Sequence, residues 1–99
     1  MKIESHDTTL NISDLRELTA GTSAEIKSQV RTRFLPDLKN IELDCGSLDF
    51  LDSSGLGALI SIQKLATERG GSFRLLKPKP TIAQVLELTR LHRILEIAQ

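Results

Sequence analysis

The sequence has few cysteine and aromatic residues, which in many small domains supply disulfides and large core side chains. Of its 99 residues only one is cysteine and three are phenylalanine, and tryptophan and tyrosine are absent. Cys45 has no partner for an internal disulfide, which is typical of a reducing compartment, so we expect a cytoplasmic protein. Because aromatic side chains are so scarce, the core of this short chain is expected to be aliphatic.

Net charge and long apolar runs are also missing. Thirteen basic and thirteen acidic side chains balance, which argues against non-specific binding to nucleic acid or to an anionic membrane. No apolar stretch approaches the length of a membrane span, and the N-terminus lacks a signal pattern. The charges are mildly uneven, because residues 1–49 carry six basic and nine acidic side chains and residues 50–99 carry seven and four. We expect neither membrane insertion nor direct contact with nucleic acid.

Hydrophobic periodicity in the first half predicts a hairpin followed by a helix. Two short strands over residues 2–13, with a turn at Asp7, form the hairpin. Apolar residues then recur every four positions and predict a helix over about 23–34 that Pro36 ends. The hydroxyl of Thr22 and the carboxylate of Glu25 fit the capping-box pattern of a helix start.

The second half alternates strands with helices. Residues 41–45 alternate apolar and acidic side chains, as a strand does, and apolar residues over 56–66 cover a helical face that Gly70 ends. A further strand is expected over about 73–76, closed by two prolines. A second capping-box pattern begins at Thr81 and opens another helix, and the last residues predict a short strand or a helical turn.

This order of elements predicts an α/β protein with one domain over residues 1–99. The sheet is expected to be mixed but mostly parallel, with about four to five strands, an N-terminal hairpin and helices packed against it. In such sheets ligands and partners bind at loops that follow the carboxyl ends of strands. Residues 48–51 are interpreted as the end of a buried strand, which places the next residues in such a loop.

Six residues at that position form the most informative stretch of the chain. Aspartate and serine oxygens accept hydrogen bonds from the free N–H groups of a first helical turn, and the helix dipole favours a phosphate there. Glycine allows another backbone to approach closely. From the residues alone the serines are more often helix caps than phosphorylation sites, and both interpretations stay open. The stretch consists of Asp52, Ser53, Ser54, Gly55, Leu56 and Gly57.

Patterns for other chemistry are incomplete. The glycines do not complete a dinucleotide-binding loop because position 60 is isoleucine, and Ser53 does not lie in a G-x-S-x-G nucleophile elbow. His6, His92 and Cys45 are not at metal-ligand spacing. Hence no catalytic residue, metal site or cofactor is predicted, and an enzyme with Ser53 as nucleophile is disfavoured because no base accompanies it. The basic residues of the second half are interpreted as a solvated face: Arg69, Arg74, Lys77 and Lys79.

The serine stretch also resembles a known family. Residues 50–57 resemble the phosphorylation loop of the STAS family, and within it the bacterial anti-sigma factor antagonists, or anti-anti-sigma factors. Residues 70–75 are similar to the family's helix-to-strand step and residues 85–95 to its last helix and tail. The resemblance implies phosphorylation of Ser53, with Ser54 as the minor candidate, and a partner-binding loop formed by the six residues.

The same resemblance implies a cycle of partners. An anti-sigma factor that is also a serine-protein kinase, with a histidine-kinase-like ATPase fold, would phosphorylate Ser53 with ATP and Mg²⁺, and a PP2C-type phosphatase would reverse this. The unphosphorylated form would bind the anti-sigma factor and release a sigma factor. The alternative is a non-phosphorylated STAS subunit of a membrane-associated complex, such as a lipid-transport ABC system. Two positions depart from the family: Thr19 replaces an aspartate expected near the loop, and Arg90 replaces a common glycine.

Overall fold

The computed structural model describes residues 1–99, which form seven strands, three α-helices and one 3₁₀ turn. The predicted alternation of strands with helices is confirmed. In chain order the elements are β1 (Lys2–His6), β2 (Thr9–Ser13), β3 (Glu17–Leu18), α1 (Ser23–Arg33), β4 (Asn40–Asp44), β5 (Phe50–Leu51), α2 (Ser53–Glu68), β6 (Phe73–Leu76), α3 (Pro80–Leu88), the 3₁₀ turn (Leu91–Arg93) and β7 (Glu96–Ala98).

The main sheet has five strands in the order β1-β2-β4-β6-β7. β1 and β2 form the predicted antiparallel hairpin, with Asp7 in the left-handed region at φ 54° in its turn. The remaining neighbours are parallel, as predicted, and the register joins Leu10 to Ile41 and Ile41 to Phe73. All parallel strands therefore end at one edge of the sheet, which is where the serine stretch lies.

One cluster of 23 buried hydrophobic side chains forms the core. As expected it is mainly aliphatic, with Phe34 and Phe73 as its aromatic members and Cys45 among its fully buried side chains. Full burial of one leucine, isoleucine, valine or phenylalanine side chain stabilises a fold by about 1.5–3 kcal/mol. Phe50 is the exception among the phenylalanines, because 62% of it is exposed.

The two predicted capping boxes are wrong. Thr22 occupies the N-cap position of α1 but its side chain caps nothing there. Its hydroxyl instead donates to the carbonyl of Glu17 (3.1 Å) and accepts from the amide of Thr19 (3.0 Å), because the chain turns sharply before the helix. The last helix begins at Pro80, with Lys79 at the N-cap and no side-chain cap. Proline suits the first position of a helix, since its missing N–H would have no partner there.

Residues 48–51 are not the end of a buried strand, contrary to prediction. β4 ends at Asp44, and after a turn the chain forms β5, which pairs in parallel with β3 in a separate two-stranded sheet. β3 was not predicted. At the C-terminus the two predicted alternatives both occur, since the 3₁₀ turn precedes the short strand β7.

Candidate partner-binding site

The serine stretch is positioned by the small sheet of β3 and β5. Glu17 is opposite Phe50 and Leu18 is opposite Leu51 in the parallel register. The amide of Asp49 also donates to the carbonyl of Arg16 (2.8 Å). β5 leads directly into α2, so β3 holds the start of this helix in place.

Asp52 connects two elements through its carboxylate. One oxygen accepts the amide N–H of Gly55 (2.9 Å), which makes Asp52 the N-cap of α2. The other oxygen accepts the amide N–H of Ala20 (3.0 Å), in the turn that precedes α1. These hydrogen bonds, first that from Gly55 and then that from Ala20, hold the pKa of Asp52 below its usual value. The carboxylate thus ties the serine stretch to the turn before α1.

Ser53 and Ser54 occupy the first two positions of α2 and both are exposed. Their hydroxyls make no hydrogen bond within the chain, because Asp52 already caps the helix. The serines are therefore not the caps that the residue pattern alone favoured. A free hydroxyl at the positive end of a helix dipole is accessible to a partner and electrostatically suited to an added phosphate.

The two glycines of the stretch serve different needs. A Cβ on Gly55 would lie 1.9 Å from the carbonyl oxygen of Leu18, so the close approach of β3 to α2 requires glycine there. A Cβ on Gly57 would meet no atom within 4 Å. Gly57 is exposed and lies four residues after Ser53, on the same side of the helix. Of these two glycines, only Gly55 is sterically required.

Charged groups next to the stretch form a small network. Asp49 accepts from Arg16 (3.3 Å) and from the ammonium group of Lys79, which follows β6. The Lys79 hydrogen bond, more than the Arg16 charge, lowers the pKa of Asp49. One lysine of the predicted solvated basic face is thus engaged in an ion pair at the edge of the sheet where Ser53 lies.

Thr19 lies in the turn that Asp52 fastens. Its hydroxyl donates to the carboxylate of Glu17 (3.0 Å), and its carbonyl accepts the amides of Thr22 and Ser23. The position at which the resemblance implies an aspartate is therefore close to the serine stretch, and a neutral hydroxyl occupies it. The hydrogen bond from the Ala20 amide to Asp52 could not be predicted from the sequence, because every residue except proline has a backbone N–H and the residue type therefore does not indicate this donor.

Three further observations concern metal-ligand clusters, helix length and the thiol. No group of three or more histidine, cysteine, aspartate or glutamate side chains is arranged to hold a metal ion. None of the helices is both long and apolar enough to cross a bilayer. The proton of the Cys45 thiol is held tightly, since burial, and then the charge of Asp44, raises the pKa of this thiol to about 12.

Comparison with known proteins gives consistent matches over the whole chain. The family model described as the STAS domain matches residues 1–99. The anti-sigma F factor antagonist of Paenibacillus polymyxa is 28% identical over 98 residues, which cover 98% of this chain and 84% of the relative. The solved structure of the anti-sigma factor antagonist SpoIIAA in its unphosphorylated form superposes with a TM-score of 0.83 at 24% identity, covering 99% of this chain and 87% of that one.

A second structure is the Bacillus cell fate determinant SpoIIAA in the phosphorylated form. It has a TM-score of 0.75 at 25% identity and covers 99% of this chain and 90% of that one. The two solved structures thus share the arrangement of strands and helices described above over 87% and 90% of their length. The chain belongs to the STAS domain family.

Proposed function

We propose that this chain is an anti-sigma factor antagonist that is switched by phosphorylation of Ser53. Its unphosphorylated form binds an anti-sigma factor that is also a serine kinase, and so releases a sigma factor. Phosphorylation of Ser53 ends that binding, and a PP2C-type phosphatase restores it. The domain itself catalyses nothing in this cycle, and the partner contacts the six residues from Asp52 to Gly57.

The observation that carries this proposal is the free, exposed hydroxyl of Ser53 at the first position of α2. Asp52 performs the capping, so modification of Ser53 would break no hydrogen bond of the fold. The relative from Paenibacillus polymyxa is named an anti-sigma F factor antagonist, and SpoIIAA has been solved both with and without phosphate. These relatives support the same type of switch here.

The switch is expected to act by local electrostatics. A phosphoserine adds about −1.5 to −2 charges and three strong acceptor oxygens. The helix dipole stabilises these charges within the domain. The carboxylate of Asp52 lies next to them and adds to the negative potential that a partner meets. A partner surface matched to a neutral hydroxyl then binds less tightly without any change of fold.

The test combines site mapping with binding. The chain is incubated with ATP, Mg²⁺ and a candidate anti-sigma kinase from its source organism, and the intact mass and fragment ions are recorded. We expect one phosphate, abolished by Ser53→Ala and retained by Ser54→Ala. We also expect Ser53→Asp to weaken binding about a hundredfold, a change of about 3 kcal/mol.

Ser47→Ala and Ser47→Asp are matched controls, because Ser47 is exposed at the same end of the molecule but outside the stretch. They are expected to change neither phosphorylation nor affinity. Phosphate on Ser54 alone would move the switch by one residue. Lack of phosphate with a kinase that modifies its own cognate antagonist would reject the switch and favour the structural subunit of a membrane-associated complex.

A further inference from the structure

A second surface lies at the other end of the molecule. We call residues 88–94 the tail turn; it joins α3 to the last strand and includes the 3₁₀ turn. Two of its three apolar side chains face water: Leu88 is 76% exposed and Ile94 is 58% exposed, while Leu91 is buried. α2 runs from the serine stretch towards this end, where Gln63 donates to the carbonyl of Ile94 (3.4 Å). Ten residues of helix separate Gln63 from Ser53, which is about 15 Å.

The same turn carries cations without partners. Arg90 and Arg93 are exposed, and their guanidinium groups form no ion pair or hydrogen bond within the chain. Of the two flanking carboxylates, Glu96 is paired with Arg74 (2.8 Å) and Glu87 is free. The segment between these glutamates has two guanidiniums and no carboxylate. Two exposed apolar side chains among unpaired cations form a surface suited to an acidic and partly apolar partner.

Arg90 adds a sign of strain. Its backbone is left-handed, at φ 61° and ψ 15°, a conformation that costs a residue with a Cβ more than it costs glycine. Glycine would therefore make this turn more easily. An outlier of this kind supports a functional hypothesis when the side chain is exposed and has no structural role. The Arg90 side chain meets both conditions.

A surface with the opposite character lies beside the serine stretch. A cleft of about 500 Å³ opens between the segment before β3 and the first turns of α1. Its carboxylates, Asp14, Glu17 and Glu25, form no ion pair, and Arg16, the basic side chain that lines it, is paired with Asp49. Its apolar lining consists of Met1, which is exposed, and of Leu15 and Ile26, which are buried in the core below it. We call this the acidic cleft.

We propose that the tail turn of one copy of this chain docks in the acidic cleft of a second copy. The tail turn presents unpaired cations with the exposed Leu88 and Ile94, and the acidic cleft presents unpaired carboxylates with the exposed Met1. A patch and a complementary pocket at different places make a head-to-tail contact, which leaves one patch and one pocket free at the ends of every open assembly. The association is weak and sensitive to salt, because its charges are exposed.

The proposal does not depend on the role of Ser53, so each can fail without the other. If both hold, they are linked: β3 borders both the acidic cleft and β5, so a docked copy would cover part of the partner surface. Self-association and binding of the anti-sigma factor would then compete. A partner that binds more tightly than a second copy would then dissociate the assemblies.

Sedimentation velocity tests the contact with the purified chain alone. At about 0.05 M salt we expect the mean sedimentation coefficient to rise with protein concentration, and at about 0.5 M salt we expect the monomer. Two double variants remove one surface each: Arg90→Glu with Arg93→Glu removes the tail turn, and Glu17→Lys with Glu25→Lys removes the acidic cleft. Each is expected to weaken self-association at least about tenfold.

Mixing gives the decisive result. The tail variant keeps its cleft and the cleft variant keeps its tail turn, so an equimolar mixture is expected to form a discrete dimer that neither variant forms alone. Arg31→Glu with Lys39→Glu is the control, because it makes the same change in net charge at two exposed cations without ion pairs. Arg90→Gly, which relieves the backbone and keeps the fold, is expected to weaken association as well.

Three results would overturn the proposal. One is a wild-type chain that stays monomeric at low salt and high concentration. Another is a control variant that loses association as much as the tail variant does, because the effect would then come from net charge. The last is a mixture of the two variants that stays monomeric while both are shown by circular dichroism to be folded.

Discussion

At the scale of single residues, the two glycines of the serine stretch are expected to respond in opposite ways to the same substitution. In Gly55→Ala the new methyl group meets the backbone of Leu18 at 1.9 Å, so we expect a loss of about 3 kcal/mol in the free energy of unfolding, the upper end for overpacking. In Gly57→Ala the methyl group meets open space, and the better helix propensity of alanine should add about 0.5–1 kcal/mol. Urea denaturation measures both.

Each glycine variant is the control for the other, since both make the same change two residues apart in one helix. Equal destabilisation would contradict the steric difference. The pair also shows which features of the helix start can be predicted from the residue pattern and which cannot. The sequence places two glycines at a helix start, but only the carbonyl of Leu18 distinguishes them, and that atom belongs to a strand that the sequence did not predict.

The helix caps, too, could not be assigned from the residue pattern alone. Thr22 and Thr81 fit a pattern for helix starts, yet one hydroxyl is used by the preceding turn and the other helix begins at Pro80. Asp52, by contrast, does act as a cap, as its residue type allows. A pattern of three or four residues identifies groups that can cap, but the path of the preceding chain decides which one does.

At the scale of elements, Asp52 is expected to make the joint between β3, α1 and α2 sensitive to acid. Its pKa is lowered in the folded protein, so its contribution to stability is complete above the usual aspartate value of 3.8 and is lost as pH falls through the lowered pKa. Asp52→Asn should therefore lower the urea midpoint at neutral pH and reduce its fall on acidification.

The measurement is the urea midpoint of both proteins between pH 7 and about pH 2. Asp37→Asn is the matched control, because Asp37 is exposed and its side chain forms no ion pair or hydrogen bond. This control should follow the wild-type curve. If the Asp52 variant lost stability equally at all pH values, its charge would not be what joins these elements.

The longer elements were predictable, whereas the two-residue strands β3 and β5 were not. The helix over about 23–34 and the strands near 41–45 and 73–76 have enough residues for a hydrophobic period to emerge, and each lies within about a residue of its predicted bounds. β3 and β5 have two residues each, too few to show any period. They form because parallel pairing between distant parts of the chain satisfies their backbone groups, and such pairing has no local signal.

At the scale of the whole molecule, the order of the strands brings the segments of the candidate site together. The sequence predicts which segments are parallel strands and that their carboxyl ends meet at one edge. The observed order β1-β2-β4-β6-β7 brings the loop after β6, with Lys79, to Asp49 just before β5. The sheet edge at which the serine stretch lies could be predicted from the order of strands and helices. The hydrogen bond from Ala20 to Asp52 could not, because it joins segments 32 residues apart.

Cys45 offers a probe of how the whole fold opens. It is 1% exposed within the single core cluster, and burial raises the pKa of its thiol to about 12, so neither access nor thiolate is present in the folded state. Its reaction with a thiol reagent then requires opening of the core. We expect labelling at least about a thousandfold slower than in urea-unfolded chain, as the stability of a small domain implies.

The labelling rate should follow the global free energy of unfolding, so that Gly55→Ala accelerates it and Gly57→Ala slows it. Cys45→Ala combined with Ser47→Cys moves the thiol two residues to an exposed position and should react at nearly the unfolded rate. Labelling of Cys45 that ignores these glycine substitutions would mean that the end of β4 opens separately from α2. The serine stretch and the core would then be independent units, contrary to the contacts that join them.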